Sequence, residues 1–165
     1  MSDPLTGLAN RNQFNIKLND AIRLSQRNNN QFALLQIDLD KFKPINDNYG
    51  HPFGDAYLKQ VSSILMQSCR EIDTVARIGG DEFSIIILDV DTKDEANKPV
   101  ERILTAISQS ILIDGIEVNI GLSIGISFFK KDAENAEDLV KKADEALYIA
   151  KNNPEVNYCY YDITG

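Results

Sequence analysis

The chain has 165 residues, 43% of them hydrophobic and 25% charged, which suits one folded domain with a substantial core. Its formal charge of −8 argues against binding to nucleic acid, yet it admits a nucleotide whose triphosphate is screened by metal ions. No window approaches the roughly 18 apolar residues of a membrane span and no signal peptide opens the chain, so a cytoplasmic segment without membrane contact is expected; one histidine and two isolated cysteines, Cys69 and Cys159, argue against a multi-histidine or cysteine metal centre.

The first expected element is a helix over 11–27, with Asn10 and Gln13 at capping-box spacing and Phe14, Leu18, Ala21 and Ile22 on one face. The apolar run 32–39 reads as a buried strand that ends in Asp38-Leu39-Asp40. A short helix or turn over 41–48 follows, then glycine breaks at Gly50 and Gly54, then a long helix over 55–69. Strands over 74–78 and 83–88 flank Gly79-Gly80, a hairpin signal. A helix is expected between Thr92 and Ser110, with a start made ambiguous by Pro99. Two short strands at 111–113 and 116–120 flank Asp114-Gly115, and an alternating strand covers 122–128. A last helix over 136–152 ends before Pro154, and 156–161 reads as a final strand. Strands interleaved with helices and hairpins imply an α/β (α+β) fold, a mostly antiparallel central sheet flanked by helices. There is no internal repeat or linker, so 1–165 is expected to be a single domain of a longer protein.

Four groups of residues could carry chemistry. Asp38 and Asp40 share a strand face and could ligate Mg²⁺ or Mn²⁺, although alone they also read as a polar strand end. Asp81 and Glu82 follow the diglycine turn and are expected to point to opposite sides of the hairpin; one could ligate metal while the other organises the nucleophile or a second metal, although alone they also read as an ordinary acidic hairpin tip. Paired acidic elements on neighbouring strands suit metal-assisted phosphoryl transfer. Lys43 could hold phosphate, and Asn46 with Asp55 offers the polar edge that guanine requires; equally, Asn46 could be a turn residue and Asp55 a helix cap. His51 could touch the nucleotide or only order its loop. Arg70 and Asp73, three apart, read on their own as an ion pair at a helix end.

Together these residues resemble the GGDEF family of diguanylate cyclases along essentially the whole chain. The resemblance opens at Asp3-Pro4-Leu5-Thr6-Gly7-Leu8-Ala9-Asn10-Arg11 and continues through Asp38-Leu39-Asp40-Lys41-Phe42-Lys43-Pro44-Ile45-Asn46-Asp47, Gly50-His51 and Gly54-Asp55. It includes the complete signature Gly79-Gly80-Asp81-Glu82-Phe83, then Ser123-Ile124-Gly125-Ile126 and the segment from Ala143 to Lys151. The resemblance implies a fold akin to nucleotidyl cyclase and polymerase palm domains. It implies divalent metal at Asp38, the Leu39 carbonyl and Asp81, with Asp81 and Glu82 as the essential acidic pair. Asn46, His51 and Asp55 would contact guanosine; the Phe42 backbone, Lys43 and Lys151 would reach the triphosphate. Arg70 and Asp73 match the family's R-x-x-D inhibitory product site. Two domains, each holding one GTP, would meet as a homodimer to form cyclic di-GMP and pyrophosphate, organised by regulatory domains of a full-length protein that could be membrane-anchored.

One departure stands out. After Lys151 the family often has a Gly-Arg-Asn segment, whereas this chain has Glu155 where the arginine would help bind phosphate, and no lysine or arginine follows Lys151. Weaker GTP binding is expected. The departure leaves open a non-catalytic module that binds GTP or cyclic di-GMP and regulates a neighbour such as a phosphodiesterase. A third reading, another cyclic nucleotide, is disfavoured by Asp55.

Overall fold

A computed structural model describes residues 2–163. In chain order it comprises α1 (Arg11–Asn28), β1 (Ala33–Leu39), α2 (Phe42–Tyr49), α3 (His51–Gln67), β2 (Thr74–Gly79), β3 (Glu82–Ile87), α4 (Lys93–Ile107), β4 (Ile111–Ile113), β5 (Ile116–Val118), β6 (Leu122–Phe128), α5 (Ala136–Lys151), β7 (Tyr158–Tyr160) and a 3₁₀ turn (Tyr161–Ile163). The main sheet runs β2-β3-β1-β6-β7; β4 and β5 form a separate hairpin. β1 is antiparallel to both neighbours and β2 to β3, while β7 joins β6 in parallel. The mixed α/β architecture is the expected one.

Strand alternation divides the core into two faces. Leu35, Ile37 and Leu39 of β1, with Phe83, Ile85, Ile124 and Ile126, face a cluster that takes in Phe53, Tyr57, Val61 and Leu65 of α3 and Val100 and Ile103 of α4. Leu34 and Ile86 face Phe14, Leu18 and Ala21 of α1 and Leu139 and Ala143 of α5. Farther along that second face the side chains turn polar or small: Gln36 and Asp38 on β1, Ser84 and Glu82 opposite on β3, and Gly125 and Ser123 opposite on β6. α5 takes advantage of the missing bulk. A Cβ built on Gly125 would come within 2.2 Å of the Ala143 carbonyl and the Leu147 amide, so helix and strand backbones are in near contact there.

Helix starts follow their caps. Asn10 accepts from the Gln13 amide at 2.8 Å and Gln13 answers to the Asn10 amide at 3.0 Å, the expected capping box. Thr92 and Asn135 cap α4 and α5 with their side chains, accepting from the Glu95 and Asp138 amides. α3 starts four residues earlier than expected, because Pro52 is compatible with a first helical turn and Gly54, expected to break the chain, lies inside the helix. Gly54 is there for packing: a Cβ on it would lie 1.8 Å from Asn46 Oδ1. The final strand is shorter than expected, starting at Tyr158. Pro99 sits within α4.

Candidate active site

The antiparallel register places Asp38 directly across from Glu82, so the end of β1 and the β2–β3 turn meet at one edge of the sheet. The Leu39 amide donates to the Asp81 carbonyl at 3.1 Å, and the Asp40 amide donates to the Gly121 carbonyl at 2.8 Å. Glu82 lies opposite Asp38 across the strand pair, while Asp81 belongs to the turn, where strand alternation does not apply. Burial and then the Asp38 charge raise the pKa of Asp81. Burial, then the charges of Asp38, Asp81 and Asp144, raise that of Glu82, with Arg11 opposing.

Lys151, near the end of α5, ion-pairs with Asp38 Oδ2. Burial works against its charge, but the Asp38 hydrogen bond and the charges of Asp38, Asp40 and Asp81 outweigh that and raise its pKa. The other Asp38 oxygen, Oδ1, is buried without a hydrogen-bond partner. An unpaired buried carboxylate oxygen is costly unless a cation answers it. With Glu82 opposite and Asp81 in the adjoining turn, the side-chain donors at this edge are all oxygen, the kind a hard divalent cation takes. Among the described residues no group of three or more His, Cys, Asp and Glu side chains is placed to hold a metal ion by itself. A cation here would need further ligands from backbone, water or a bound nucleotide.

Beside this edge, α2 and α3 carry the other candidates. Lys43, His51 and Asp55 are exposed and Asn46 is half-buried. Asn46 lies against Gly54, next to Asp55, and its carbonyl accepts from the Gly50 amide at 2.8 Å. Asp55 is no helix cap: it is in the interior of α3. Phe42 stacks on Tyr57 with ring centroids 6.1 Å apart, which seats α2 on α3. Burial pushes the Tyr57 phenol up to about 12.

Arg70 and Asp73 lie elsewhere. Their ion pair spans 3.1 Å, and Asp73 is 1% exposed against 45% for Arg70, so the carboxylate is a buried anchor and the guanidinium is presented outward. Asp73 also accepts from the Arg70 amide at 2.8 Å and from the Leu88 amide at 3.1 Å. Leu88 follows β3, whose other end is Glu82, so the two sites are separated by six strand residues, about 20 Å. A cavity of about 270 Å³ opens there, lined by Arg70, Asp73, Lys98 and Arg102 among others. Sequence reasoning missed Arg102; it sits on α4, with no motif to mark it, and only the fold brings it to Arg70.

A family model described as diguanylate cyclase, GGDEF domain, matches residues 1–157. The chain belongs to the GGDEF family. It is 38% identical over 162 residues to the bifunctional diguanylate cyclase/cyclic di-GMP phosphodiesterase MucR of Pseudomonas aeruginosa, covering 98% of this chain and 24% of that protein. The chain thus spans about a quarter of that relative's length. The GGDEF domain of TpbB (YfiN) from Pseudomonas aeruginosa superposes with a TM-score of 0.90 at 35% identity, covering 97% of this chain and 92% of that one. The GGDEF domain of DgcB from Caulobacter crescentus, solved in complex with c-di-GMP, superposes at 0.88 with 27% identity, over 97% and 92% of the two chains. Among the described residues of this GGDEF domain no helix is long and apolar enough to cross a membrane.

Proposed function

We propose that this GGDEF domain is a diguanylate cyclase that condenses two GTP molecules into cyclic di-GMP and pyrophosphate. The observation that carries the reading is the meeting of Asp38, Asp81 and Glu82 at one sheet edge, around a buried carboxylate oxygen without a partner. Asp38, the Leu39 carbonyl and Asp81 would hold Mg²⁺ or Mn²⁺, which supplies charge neutralisation for the triphosphate and acidifies the attacking hydroxyl. Lys151 would exchange its contact with Asp38 for phosphate oxygens, with Lys43 and the Phe42 amide alongside. Asn46, His51 and Asp55 would orient the guanosine. Two domains facing each other would align each 3′-hydroxyl with the α-phosphate held by the other; the new O–P bond forms as pyrophosphate leaves. Arg70, Asp73 and Arg102 would bind the product at a distance and restrain that encounter.

The deciding experiment is incubation of concentrated domain with GTP and Mg²⁺, followed by chromatography for cyclic di-GMP. Product formed by the wild type, with inhibition by added product relieved in Arg70→Ala, supports both sites. No product, even when two copies are linked, sinks the cyclase reading.

A specific observation favours a second reading, a regulatory module that binds nucleotide without turnover. Glu155 is exposed in the segment between α5 and β7, and its charge would oppose a triphosphate held by Lys151. On the cyclase reading, Glu155→Arg is expected to lower the GTP KM about threefold to tenfold by exchanging repulsion for attraction. An unchanged KM would mean that Glu155 is remote from the phosphates.

Gly54 tests the guanosine assignment. Alanine is about 1 kcal/mol better than glycine inside a helix, so Gly54→Ala should leave thermal stability unchanged or slightly higher. Its methyl group must nevertheless displace the Asn46 side chain. Loss of one such hydrogen bond predicts a GTP KM raised about tenfold with little change in kcat. A KM equal to wild type would remove Asn46 from the binding set.

A further inference from the structure

The turn that carries Asp81 and Glu82 has little of its own to hold it. A Cβ placed on Gly79 or Gly80 would meet nothing within 4 Å, and Gly80 has a φ of +48°. Strands β2 and β3 also slip register between Arg77 and Gly79. Such irregularities re-aim the neighbouring side chain. Here that side chain is Arg77, whose Nε donates to the Gly80 carbonyl at 3.0 Å. Its Nη1 donates to both Asp3 carboxylate oxygens, at 3.2 and 3.3 Å. Asp3 and Arg77 are each 16% exposed, so solvent screens the pair only weakly.

Asp3 is itself held. Its Oδ2 accepts from the Thr6 amide at 2.9 Å and the Thr6 hydroxyl at 2.7 Å. Its amide donates to the Leu8 carbonyl at 2.8 Å, and its carbonyl accepts from the Gly7 amide at 2.9 Å. The Arg77 amide donates to the Ala9 carbonyl at 2.9 Å. The loop 3–9 is thus pinned to the β2 edge and, through one guanidinium, to the catalytic turn.

We propose that Arg77 is a positioning residue for the Asp81–Glu82 pair and that the opening loop, through Asp3, sets the geometry of the turn. The two peptide planes flanking the Asp81 Cα are tethered separately. Arg77 holds the Gly80–Asp81 peptide by its carbonyl, and the Leu39 amide holds the Asp81–Glu82 peptide by its carbonyl at 3.1 Å. Fixing both planes fixes the direction in which the Asp81 side chain leaves the backbone. Removing Arg77 frees the first plane to rotate about a glycine, where no side chain resists. Asp38 stays in place on β1, and the two carboxylates lose their mutual register.

The test compares wild type with Arg77→Ala, Arg77→Lys and Asp3→Asn. The primary readout is amide hydrogen exchange, which does not depend on turnover. Exchange at Gly80, Asp81 and Glu82 is expected to accelerate about tenfold in Arg77→Ala and less in Asp3→Asn, with β1 and β6 unchanged. Since a misplacement of about 1 Å at a reacting centre can cost 10²-fold, kcat should fall about 10- to 100-fold, the Mg²⁺ requirement should rise, and the GTP KM should stay within about threefold. Arg77→Lys should restore only part, because an ammonium group lacks the fork that spans both partners. Turn exchange within twofold of wild type in folded Arg77→Ala overturns the proposal; should that variant not fold, the same result in Asp3→Asn does so. The kinetic arm rests on the cyclase reading. If wild type makes no product, that reading fails alone, and exchange still decides the role of Arg77.

Discussion

Asp81→Asn is expected to abolish product formation and to stabilise the metal-free domain at the same time. The loss should be about a thousandfold or more, the roughly 4 kcal/mol that a correctly held metal and an oriented hydroxyl contribute to phosphoryl transfer. The gain follows from the partial burial of Asp81 and then the nearby Asp38 charge, which together raise the Asp81 pKa. A carboxyl whose folded pKa lies above its unfolded value releases its proton first in the unfolded chain as pH rises. Stability is therefore fullest below the ordinary carboxylate range and is lost as pH rises through the raised pKa. The asparagine keeps the shape and omits that cost, so the melting temperature of the metal-free domain near neutral pH should rise by about 1–3 °C. Mg²⁺ with a GTP analogue should reverse the order by stabilising only the wild type. A variant with lower stability than wild type in metal-free buffer would show that Asp81 is not in a strained acidic cluster.

Much of this was legible in the sequence because the relevant signals are local. The capping box at Asn10 and Gln13, the apolar run ending at Asp38, and the diglycine turn before Asp81 each depend on a few adjacent residues. What was hidden depends on how elements pack. Gly54 reads as a chain break because glycine is a poor helix former, yet it serves the contact with Asn46. Arg102 reads as an exposed helix residue until α4 lies beside Arg70. Arg77 looks like a strand residue of an edge, and its partner Asp3 is 74 positions away in the chain. Strand alternation does not reach Asp81, because β2 runs through Gly79, the turn is Gly80-Asp81 and β3 begins only at Glu82. Long-range partners leave no periodic mark, so the charge network that links Lys151 to Asp38, over 113 positions, had to be found in three dimensions.

Gly125 shows how a residue without chemistry governs that network. Lys151 reaches Asp38 because α5 lies on β6 at backbone distance, and it does so where β6 presents only Ser123, Gly125 and Ser127 toward the helix. The Ser127 hydroxyl donates to the Leu139 carbonyl at 2.8 Å, fastening the first turn of the same helix. In Gly125→Ala the new methyl group would stand 2.2 Å from the Ala143 carbonyl and the Leu147 amide and 2.7 Å from the Leu147 Cα. All three are backbone atoms, so no rotamer change relieves the clash, in contrast to Gly54, where the obstacle is the mobile end of Asn46. Overpacking of this kind costs about 1–3 kcal/mol, and a backbone obstacle places it at the upper end. The melting temperature should fall by about 6–12 °C. Where the domain remains folded, α5 must ride outward and carry Lys151 away from the carboxylates. The GTP KM should then rise by about tenfold, the value of one charge-assisted contact, while binding of cyclic di-GMP at the proposed Arg70–Asp73 site should be unchanged because α5 does not line that cavity. A folded Gly125→Ala variant with wild-type melting temperature and KM would mean that α5 is not seated by this contact, and that Lys151 is held to the site by its ion pair with Asp38 alone.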